Sequence, residues 1–258
     1  MNEKQKRVYE LLKEFIEIAN KHNLDYMVFY GTLLGVIRHG GFIPWDDDID
    51  LVVTKETLDF LVANYPEKVK VNENSDNFLL IPKFTNDDEW DEDAVFLDLF
   101  VAAPTTPERV KKFLSTKTKI RYLHSYTHRR ISPRQWGMKL AKFFLCWTWG
   151  TNRYLLKDAW NDLYDPNGTE VAVICWPFKK VTMSNVFDEL DFKTTEMKQF
   201  EDLSVKVPKN WESILVKNYG PKWYIPKKIK MSEHLGLYDI EIYTHKKKKP
   251  SKKETEKE

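Results

Sequence analysis

Hydrophobic residues recur every three or four positions near the start of the chain. Val8, Leu11, Leu12, Phe15, Ile16 and Ala19 would share one face of a helix, with Glu and Lys on the other faces. This pattern predicts a helix over about 3–22 that packs on a sheet. Helical patterns also cover about 55–64, most of 107–164, and 210–219, where Asn210 is the expected N-cap.

Short runs of aromatic and β-branched residues predict strands. Such runs lie at 25–30, at 78–84 and at 94–101, and another begins at Ile49. Between the first of these runs and Ile49, residues 31–38 are typical of a turn that opens a short helix. The pattern predicts an α+β fold, a mixed sheet flanked by helices, with a largely helical insertion at about 105–185.

Four carboxylates lie within five residues, at Asp46, Asp47, Asp48 and Asp50. Like charges at this density repel unless a cation or strong donors compensate. Strand alternation would place Asp48 and Asp50 on one face, with side-chain origins roughly 6–7 Å apart. Asp47 would point the other way and is given a structural role, while Asp46 could reach a shared cation from the loop. Carboxylate oxygens suit Mg²⁺ or Mn²⁺, so a hard divalent cation is the simplest partner.

Another carboxylate, Asp98, is the only acid in the apolar run 94–101. Burying it alone as a charge would cost several kcal/mol. The cost falls if this strand lies beside the strand of Asp50 and both acids face one cation. Asp48, Asp50 and Asp98 would then form the kind of carboxylate cluster that places metal ions on the phosphates of a nucleotide.

Three alternative assignments of the acidic run fit its spacing or its flanks less well. An EF-hand loop would need Gly at position 51 and Glu at position 57, where the chain has Leu51 and Thr57. A sugar-nucleotide glycosyltransferase could use Asp48-Ile49-Asp50 as its Asp-x-Asp motif. Such enzymes usually place a longer nucleotide-binding region before it than the 47 residues found here. A solvated acidic loop without metal conflicts with the apolar flanks.

The order of strand, Gly-Thr turn, short helix, Asp-x-Asp strand and a later strand with one Asp matches the nucleotidyltransferase fold. The run 30–51 resembles, nearly position for position, the signature of the LicD family of phosphorylcholine transferases, distant relatives of the fukutin-type phosphotransferases. Residues 201–212, with Leu215, Tyr219 and Gly220, look like the C-terminal motif of that family. Lys83 and the segment 96–100 fall where the family has a lysine and an acid. The resemblance covers about 20–101 and 187–226.

The resemblance implies transfer of a substituted phosphate, phosphorylcholine or a polyol phosphate, from a CDP-linked donor to a sugar hydroxyl of a cell-surface or lipid-linked glycan. It implies Asp48, Asp50 and Asp98 as ligands of Mg²⁺ or Mn²⁺, with Asp98 alternatively the base that takes the proton of the acceptor. Gly31 and Thr32 match the phosphate-facing turn, where N–H groups and a hydroxyl approach the donor without an intervening Cβ.

Two basic side chains complete the candidate site. Arg38 lies in the signature and would neutralise charge on the transferred phosphate, because a guanidinium matches phosphate oxygens in bidentate geometry. Its alternative role is an ion pair with Asp46 or Asp47. Lys83 is a candidate contact for the donor phosphates, and its alternative is a surface lysine whose stem covers apolar residues.

Two other functions stay open. A nucleotidyltransferase proper would move a nucleoside monophosphate and release pyrophosphate. A catalytically inactive relative would be a membrane-associated glycan-binding protein, although the intact residues Asp48, Asp50 and Asp98 argue against that function.

Composition indicates a globular protein, with 42% hydrophobic and 31% charged residues among 258. We expect one catalytic domain over 1–245, followed by a lysine-rich disordered tail at 246–258. The two cysteines lack the spacing of a zinc site or a disulfide framework, and the charged N-terminus lacks a secretory signal. These features favour a cytoplasmic enzyme.

A basic region at 109–157 holds thirteen Lys and Arg and no Asp or Glu, and it contains the apolar run 143–149. This run is far shorter than the roughly 20 residues that span a bilayer. The region either lies peripherally on an anionic membrane at its inner face or packs as a core helix with solvated charges. Nucleic acid is not expected as a partner, because no recognition motif accompanies the charge.

Overall fold

The computed structural model describes residues 1–75, 77–88, 93–128 and 136–226. The predicted tail at 246–258 and the middle of the basic region, at 129–135, lie outside the described residues. Among the described residues, no helix combines the length and apolar character that crossing a bilayer requires.

Helices and strands alternate from Glu3 to Lys70, and later parts of the described chain place several strands or several helices in succession. The helices are α1 (Glu3–His22), α2 (Tyr30–His39), α3 (Lys55–Asn64), α4 (Pro107–Phe113), α5 (Thr116–His128), α6 (Trp136–Leu145), α7 (Leu156–Leu163), α8 (Lys179–Ser184) and α9 (Trp211–Tyr219), with a 3-10 helix at Cys146–Gly150. The strands are β1 (Tyr26–Val28), β2 (Ile49–Val53), β3 (Val69–Lys70), β4 (Lys83–Phe84), β5 (Leu97–Thr105), β6 (Glu170–Val173), β7 (Val186–Phe187), β8 (Thr195–Phe200) and β9 (Leu203–Pro208).

The main sheet has the strand order β1-β2-β5-β4-β3, and β6 and β7 extend it from the far half of β5. Strands β2 and β5 run parallel, while the other pairs in this sheet are antiparallel. Strands β8 and β9 form a separate hairpin that contacts β1. The predicted α+β fold, a mixed sheet flanked by helices, is confirmed.

Helix α1 has the predicted bounds and the predicted apolar face. Its first turn is closed by a capping box, in which the Asn2 side chain accepts from the Gln5 N–H and the Gln5 side chain accepts from the Asn2 N–H. The Phe15 ring packs edge-on against Tyr26 of β1 and Phe84 of β4, with centroid distances of 5.4 and 5.6 Å. These contacts fix α1 across the strands that carry the acids.

The predicted strand at 78–84 is shorter than expected, because only Lys83 and Phe84 pair as β4. The side chain of Asn77 accounts for the difference. It accepts from the Leu79 N–H at 2.9 Å and donates to the Ile81 carbonyl at 2.9 Å. A buried loop thereby satisfies backbone groups that a strand would have paired.

The predicted strand at 94–101 is shifted and longer, spanning Leu97–Thr105 as β5. Its second half pairs with β6, which lies inside the predicted helical insertion. The insertion contains the helices α4 to α7, and the chain then returns to the sheet as β6.

The predicted helix at the C-terminal end forms as α9, but the expected side-chain cap at Asn210 does not. The Asn210 amide instead donates to the Glu189 carbonyl at 2.9 Å. Gly220 ends the helix with φ 83°, a conformation that favours glycine.

Candidate active site

Two of the predicted acids face each other across adjacent parallel strands. Asp50 of β2 and Asp98 of β5 are register partners, and neighbouring strands lie about 4.8 Å apart. Asp48 stands just before β2 begins and is partly buried, as is Asp50. The expectation that the two strands would bring these acids together is met.

The N-terminus of α2 holds the Asp50 carboxylate. The Gly31 N–H donates to Asp50 Oδ2 at 3.2 Å, and the Asp50 N–H donates to Thr32 Oγ1 at 2.8 Å. A helix N-terminus favours negative charge, and hydrogen bonds to a carboxylate are stronger than neutral ones. Gly31 and Thr32, predicted to face a phosphate, are therefore engaged in fixing Asp50.

Gly31 also leaves room for a second carboxylate. A β-carbon on Gly31 would lie 2.9 Å from Asp46 Oδ2 and 3.6 Å from Asp50 Oδ2. Both oxygens thus approach the same point above the start of α2, and a side chain at position 31 would require the Asp46 carboxylate to move. This placement brings Asp46 into the cluster from its loop, as the sequence suggested.

Burial raises the pKa of Asp50 well above its usual range. The charges of Asp48, Asp98 and Asp46 raise the pKa further, in that order, while the hydrogen bond from Gly31 lowers it. The four carboxylates of this site therefore repel one another when they are ionised. A bound cation would relieve the repulsion.

Asp98 has a close partner that the sequence pattern did not assign to it. The Lys83 ammonium forms an ion pair and hydrogen bond with Asp98 Oδ1, and the two residues are register partners on β4 and β5. Lys83 is 1% exposed, so the alternative of a surface lysine is wrong. Burial raises the pKa of Asp98 and the Asp48 charge acts in the same direction, whereas Lys83 opposes both.

The acid assigned to structure, Asp47, is ion-paired with Lys4 of α1 at 3.0 Å. The neighbouring loop is tied to the same helix, because the Gln5 amide donates to the Asp46 carbonyl at 2.6 Å. Helix α1 therefore positions the acidic loop through its first turns.

Arg38 lies at the end of α2 and points toward the C-terminal segment. Its Nη1 donates to the Trp223 carbonyl at 3.3 Å, and burial lowers the pKa of the guanidinium.

Tyr219 lies within electrostatic range of Arg38 and of the acids. Burial and then the charges of the acids, led by Asp50, raise the pKa of its hydroxyl, although 42% of the residue as a whole is exposed. The hydroxyl end is therefore the enclosed part of the side chain.

Tyr30 begins α2 with φ 40°, a left-handed conformation that costs a non-glycine residue about 1–3 kcal/mol. Its ring packs edge-on against Phe29 and Phe100 at 4.9 and 4.7 Å, and its hydroxyl donates to Asn185 Oδ1 at 2.7 Å. These contacts hold the strained residue in place. They thereby set the direction of the Gly31 N–H that binds Asp50.

Glu201, in the C-terminal motif, receives a position that the sequence did not assign. It occupies the turn between β8 and β9, where its N–H donates to the Gly40 carbonyl at 2.7 Å. Its Oε1 accepts from the Phe42 N–H at 3.0 Å. The next residue, Asp202, accepts from the Tyr9 hydroxyl of α1. The hairpin turn thus fastens the loop that leads from α2 to the acids.

The chemistry of the donors fits a hard divalent cation, since all of them are carboxylate oxygens. As the side chains stand, no three acidic, histidine or cysteine groups among the residues that the structure covers are close enough to share one ion. Asp46 and Asp50 come nearest to a shared point, at Gly31. Rotation of the carboxylates would be needed to complete a metal site.

Comparison with known proteins relates part of the chain to a family. Residues 23–128 match the family model described as LicD/FKTN/FKRP, nucleotidyltransferase domain. The family resemblance is confirmed over that range.

Individual relatives match over short segments. The lipopolysaccharide cholinephosphotransferase LicD of Haemophilus influenzae is 39% identical over 56 residues, 22% of this chain and 21% of the relative. An uncharacterized protein of Rickettsia prowazekii is 45% identical over 49 residues, 19% of this chain and 18% of the relative. One from Rickettsia typhi is 45% identical over 49 residues, 19% of this chain and 16% of the relative. The matches therefore cover about a fifth of each relative.

Proposed function

Because residues 23–128 carry a nucleotidyltransferase domain of the LicD type, we propose that the protein is a metal-dependent phosphotransferase. It moves a substituted phosphate, phosphorylcholine or a polyol phosphate, from a CDP-linked donor to a sugar hydroxyl of a cell-surface or lipid-linked glycan. The observation that carries the proposal is the register pairing of Asp50 with Asp98, with Asp46 and Asp48 beside them. The Haemophilus relative, a lipopolysaccharide cholinephosphotransferase, supports the same class of reaction.

In this proposal Asp48 and Asp50 hold Mg²⁺ or Mn²⁺, and Asp46 lies close enough to assist. The bound ion supplies neutralisation of charge on the phosphate oxygens. Gly31 keeps the space above α2 open, since a side chain there would displace the Asp46 carboxylate. Arg38, in the last turn of α2, would add positive charge that attracts the negatively charged donor.

We assign Asp98 the role of general base and not that of a third metal ligand. Lys83 occupies Asp98 Oδ1 and leaves Oδ2 for the acceptor hydroxyl. The hydroxyl oxygen forms a bond to the phosphorus of the donor's alcohol-bearing phosphate as the bond from that phosphorus to CMP breaks, and the proton passes to Asp98. A carboxyl whose pKa is raised by burial accepts a proton more readily than an ordinary aspartate. Most of the rate enhancement would come from positioning and charge, as in other phosphoryl transfers.

The test incubates the protein with Mg²⁺, a panel of CDP-linked alcohols and soluble glycosides, and follows the nucleotide released. Release of CMP with transfer of the alcohol phosphate supports the proposal. Pyrophosphate release from a nucleoside triphosphate, without CMP release from CDP-alcohols, would favour the nucleotidyltransferase alternative.

Two variants show whether the acidic cluster performs the reaction. Asp48→Asn should abolish turnover, whereas Asp47→Asn should leave it nearly unchanged, because the Asp47 carboxylate faces Lys4 of α1 and the Gln5 hydrogen bond still holds the loop to that helix. Equal activity of wild type and Asp48→Asn would contradict the proposed site. An absence of turnover in the wild type on every donor would instead favour an inactive glycan-binding protein.

A further inference from the structure

Four large apolar side chains form a stripe along α6 and the 3-10 helix that follows it. Leu140, Phe143, Phe144 and Trp147 have the spacing i, i+3, i+4 and i+7, which places them on one helical face. Their exposed fractions are 39, 71, 68 and 59%. These four residues are called the aromatic stripe below.

A stripe with this spacing normally faces the core of a globular protein. Here it faces away from the core, so the expectation that this segment packs as a core helix is wrong for the stripe. Phe143 and Phe144 contact each other, with ring centroids 5.6 Å apart. Trp149, just beyond the stripe, is also 54% exposed. Contiguous exposed aromatic residues mark a surface that contacts a partner.

Hydrogen bonds to buried or partly buried groups hold the segment that carries the stripe. Thr148 is fully buried, and its hydroxyl donates to the Leu145 carbonyl at 2.7 Å. The indole N–H of Trp149 donates to the Thr127 hydroxyl of α5 at 2.9 Å. After the 3-10 helix, the Arg121 guanidinium binds the Arg153 carbonyl at 2.9 Å. The apolar rings therefore project from a fixed base, with the Trp149 N–H already satisfied.

The charge around the stripe selects the kind of partner. Lys139, on the exposed side of α6, lies beside the stripe. The region 109–157 carries thirteen Lys and Arg and no acid, and three of them, Arg109, Lys112 and Arg121, pair with acids within 158–165. An anionic surface complements this charge. A second copy of the chain bound through the same face would bring two basic regions together, which opposes that contact.

We propose that the aromatic stripe inserts into the interfacial layer of an anionic lipid membrane. A ten-residue helix is about 15 Å long, too short to span the bilayer, but long enough to lie in its plane. Phe and Trp rings suit the boundary between headgroups and acyl chains. Lys139 and the neighbouring basic residues contact the anionic headgroups.

This interaction extends the proposed function and does not depend on it. Docking at the inner face of a membrane would bring the acidic cluster to a lipid-linked acceptor. Lipid binding is measured without turnover, so a failure of either proposal is recognised separately.

The experiment is co-sedimentation of the full chain with vesicles of phosphatidylcholine alone or with added phosphatidylglycerol. We expect binding to the anionic vesicles that weakens as salt is raised. The double variant Phe143→Ser/Trp147→Ser should bind at least about tenfold more weakly, because two apolar rings no longer enter the interfacial layer. Lys139→Glu should also weaken binding. The matched controls are Met197→Ser, at a 56% exposed residue of β8, and Lys193→Glu, at an exposed lysine.

Sedimentation equilibrium of the same proteins without lipid examines the competing partner. One result would overturn the proposal in favour of a second copy as the partner. In that result the wild type dimerises but does not bind vesicles, and the double variant no longer dimerises. Equal binding of wild type and double variant to anionic vesicles would also overturn it. Because the substituted side chains are exposed, their thermal unfolding midpoints should match that of the wild type.

Discussion

The Glu201 carboxylate lies against Gly41 so closely that no side chain fits between them. A β-carbon on Gly41 would be 2.2 Å from Glu201 Oε1, the oxygen that accepts from the Phe42 N–H at 3.0 Å. Glu201 itself has φ 56°, a strained conformation for a residue with a side chain. The hairpin turn thus adopts a costly conformation to hold the loop that precedes the acids.

This contact predicts that Gly41→Ala and Glu201→Ala weaken the protein through the same interaction. Each single variant should lose about 1–3 kcal/mol of stability and much of its activity, because the Phe42 N–H loses its acceptor. Glu201→Gln should retain most of both, since an amide oxygen can accept the same hydrogen bond. In the double variant the second substitution should add little, because the carboxylate that the new methyl group would displace is already gone.

Urea unfolding of the two singles and the double measures this coupling. Gly137→Ala is the matched control, as no atom of the described residues outside its own stretch of helix lies within 4 Å of the new β-carbon. Strictly additive losses in the double variant would contradict the proposed clamp.

The acids could be predicted from sequence, and their partners could not. Asp48, Asp50 and Asp98 are conspicuous because charged residues interrupt apolar strand patterns, and alternation along a strand is a local rule. The ion pair of Lys83 with Asp98 depends on which strands become neighbours in the sheet. The contact of Glu201 with the Phe42 N–H joins residues 159 positions apart. Such pairings arise from the fold, so local patterns carry little information about them.

Local competition explains the misjudged elements. Asn77 offers its own donors and acceptors to the following backbone, so an apolar run that resembles a strand forms a loop. Asn210 is used by a distant carbonyl rather than by its own helix. In both cases the hydrogen bonds of the polar side chain determine the local backbone structure. The apolar pattern correctly predicts that the neighbouring apolar residues are buried.

The buried ion pair predicts a large loss of stability when only one partner is removed. Lys83→Met should cost about 3–5 kcal/mol, since it leaves the Asp98 charge without its counter-ion. Lys83→Met/Asp98→Leu should recover much of that loss, because apolar groups can replace a buried pair at little cost. Denaturant unfolding at neutral pH gives both values.

An exposed pair provides the comparison for this experiment. Lys55 and Asp59 lie 2.6 Å apart on α3, and the Asp59 side chain is 62% exposed. Lys55→Met should therefore cost less than about 1 kcal/mol. A similar small cost for Lys83→Met would contradict the importance of the buried pair.

Repulsion within the acidic cluster predicts that Asp50→Asn makes the metal-free protein more stable and inactive. Burial and neighbouring charges raise the pKa of Asp50, so the ionised side chain is held at a cost that the amide avoids. We expect the free energy of unfolding to rise by about 0.5–2 kcal/mol, as is common when a residue kept for function at a cost in stability is replaced. The Asn side-chain oxygen can still accept from the Gly31 N–H.

The same variant reports on metal binding without an activity assay. Mg²⁺ at about a hundred times its dissociation constant should raise the free energy of unfolding of the wild type by about 2.7 kcal/mol. It should stabilise Asp50→Asn much less, and Asp47→Asn as much as the wild type. If Mg²⁺ and Mn²⁺ left the wild-type unfolding midpoint unchanged, the proposed metal dependence would be wrong.

The two cysteines should differ in reactivity and in their effect on stability at alkaline pH. Cys146 is exposed, while burial raises the pKa of Cys175 to about 12 against the opposing hydrogen bond from Asn185. In the native protein a thiol reagent should modify Cys146 rapidly and Cys175 only after unfolding. Equal rates for both thiols under native conditions would contradict the burial of Cys175.

The sign of the pH effect follows from the raised pKa of Cys175. The folded state binds the thiol proton more tightly than the unfolded chain, whose cysteine pKa is about 8.5. This contribution to stability is fully present below about pH 8.5 and is lost as pH rises toward 12. The stability advantage of wild type over Cys175→Ala should therefore shrink by about 2 kcal/mol between pH 8 and pH 10. Comparing the two proteins by urea unfolding at each pH cancels the titration of the tyrosines and lysines that they share.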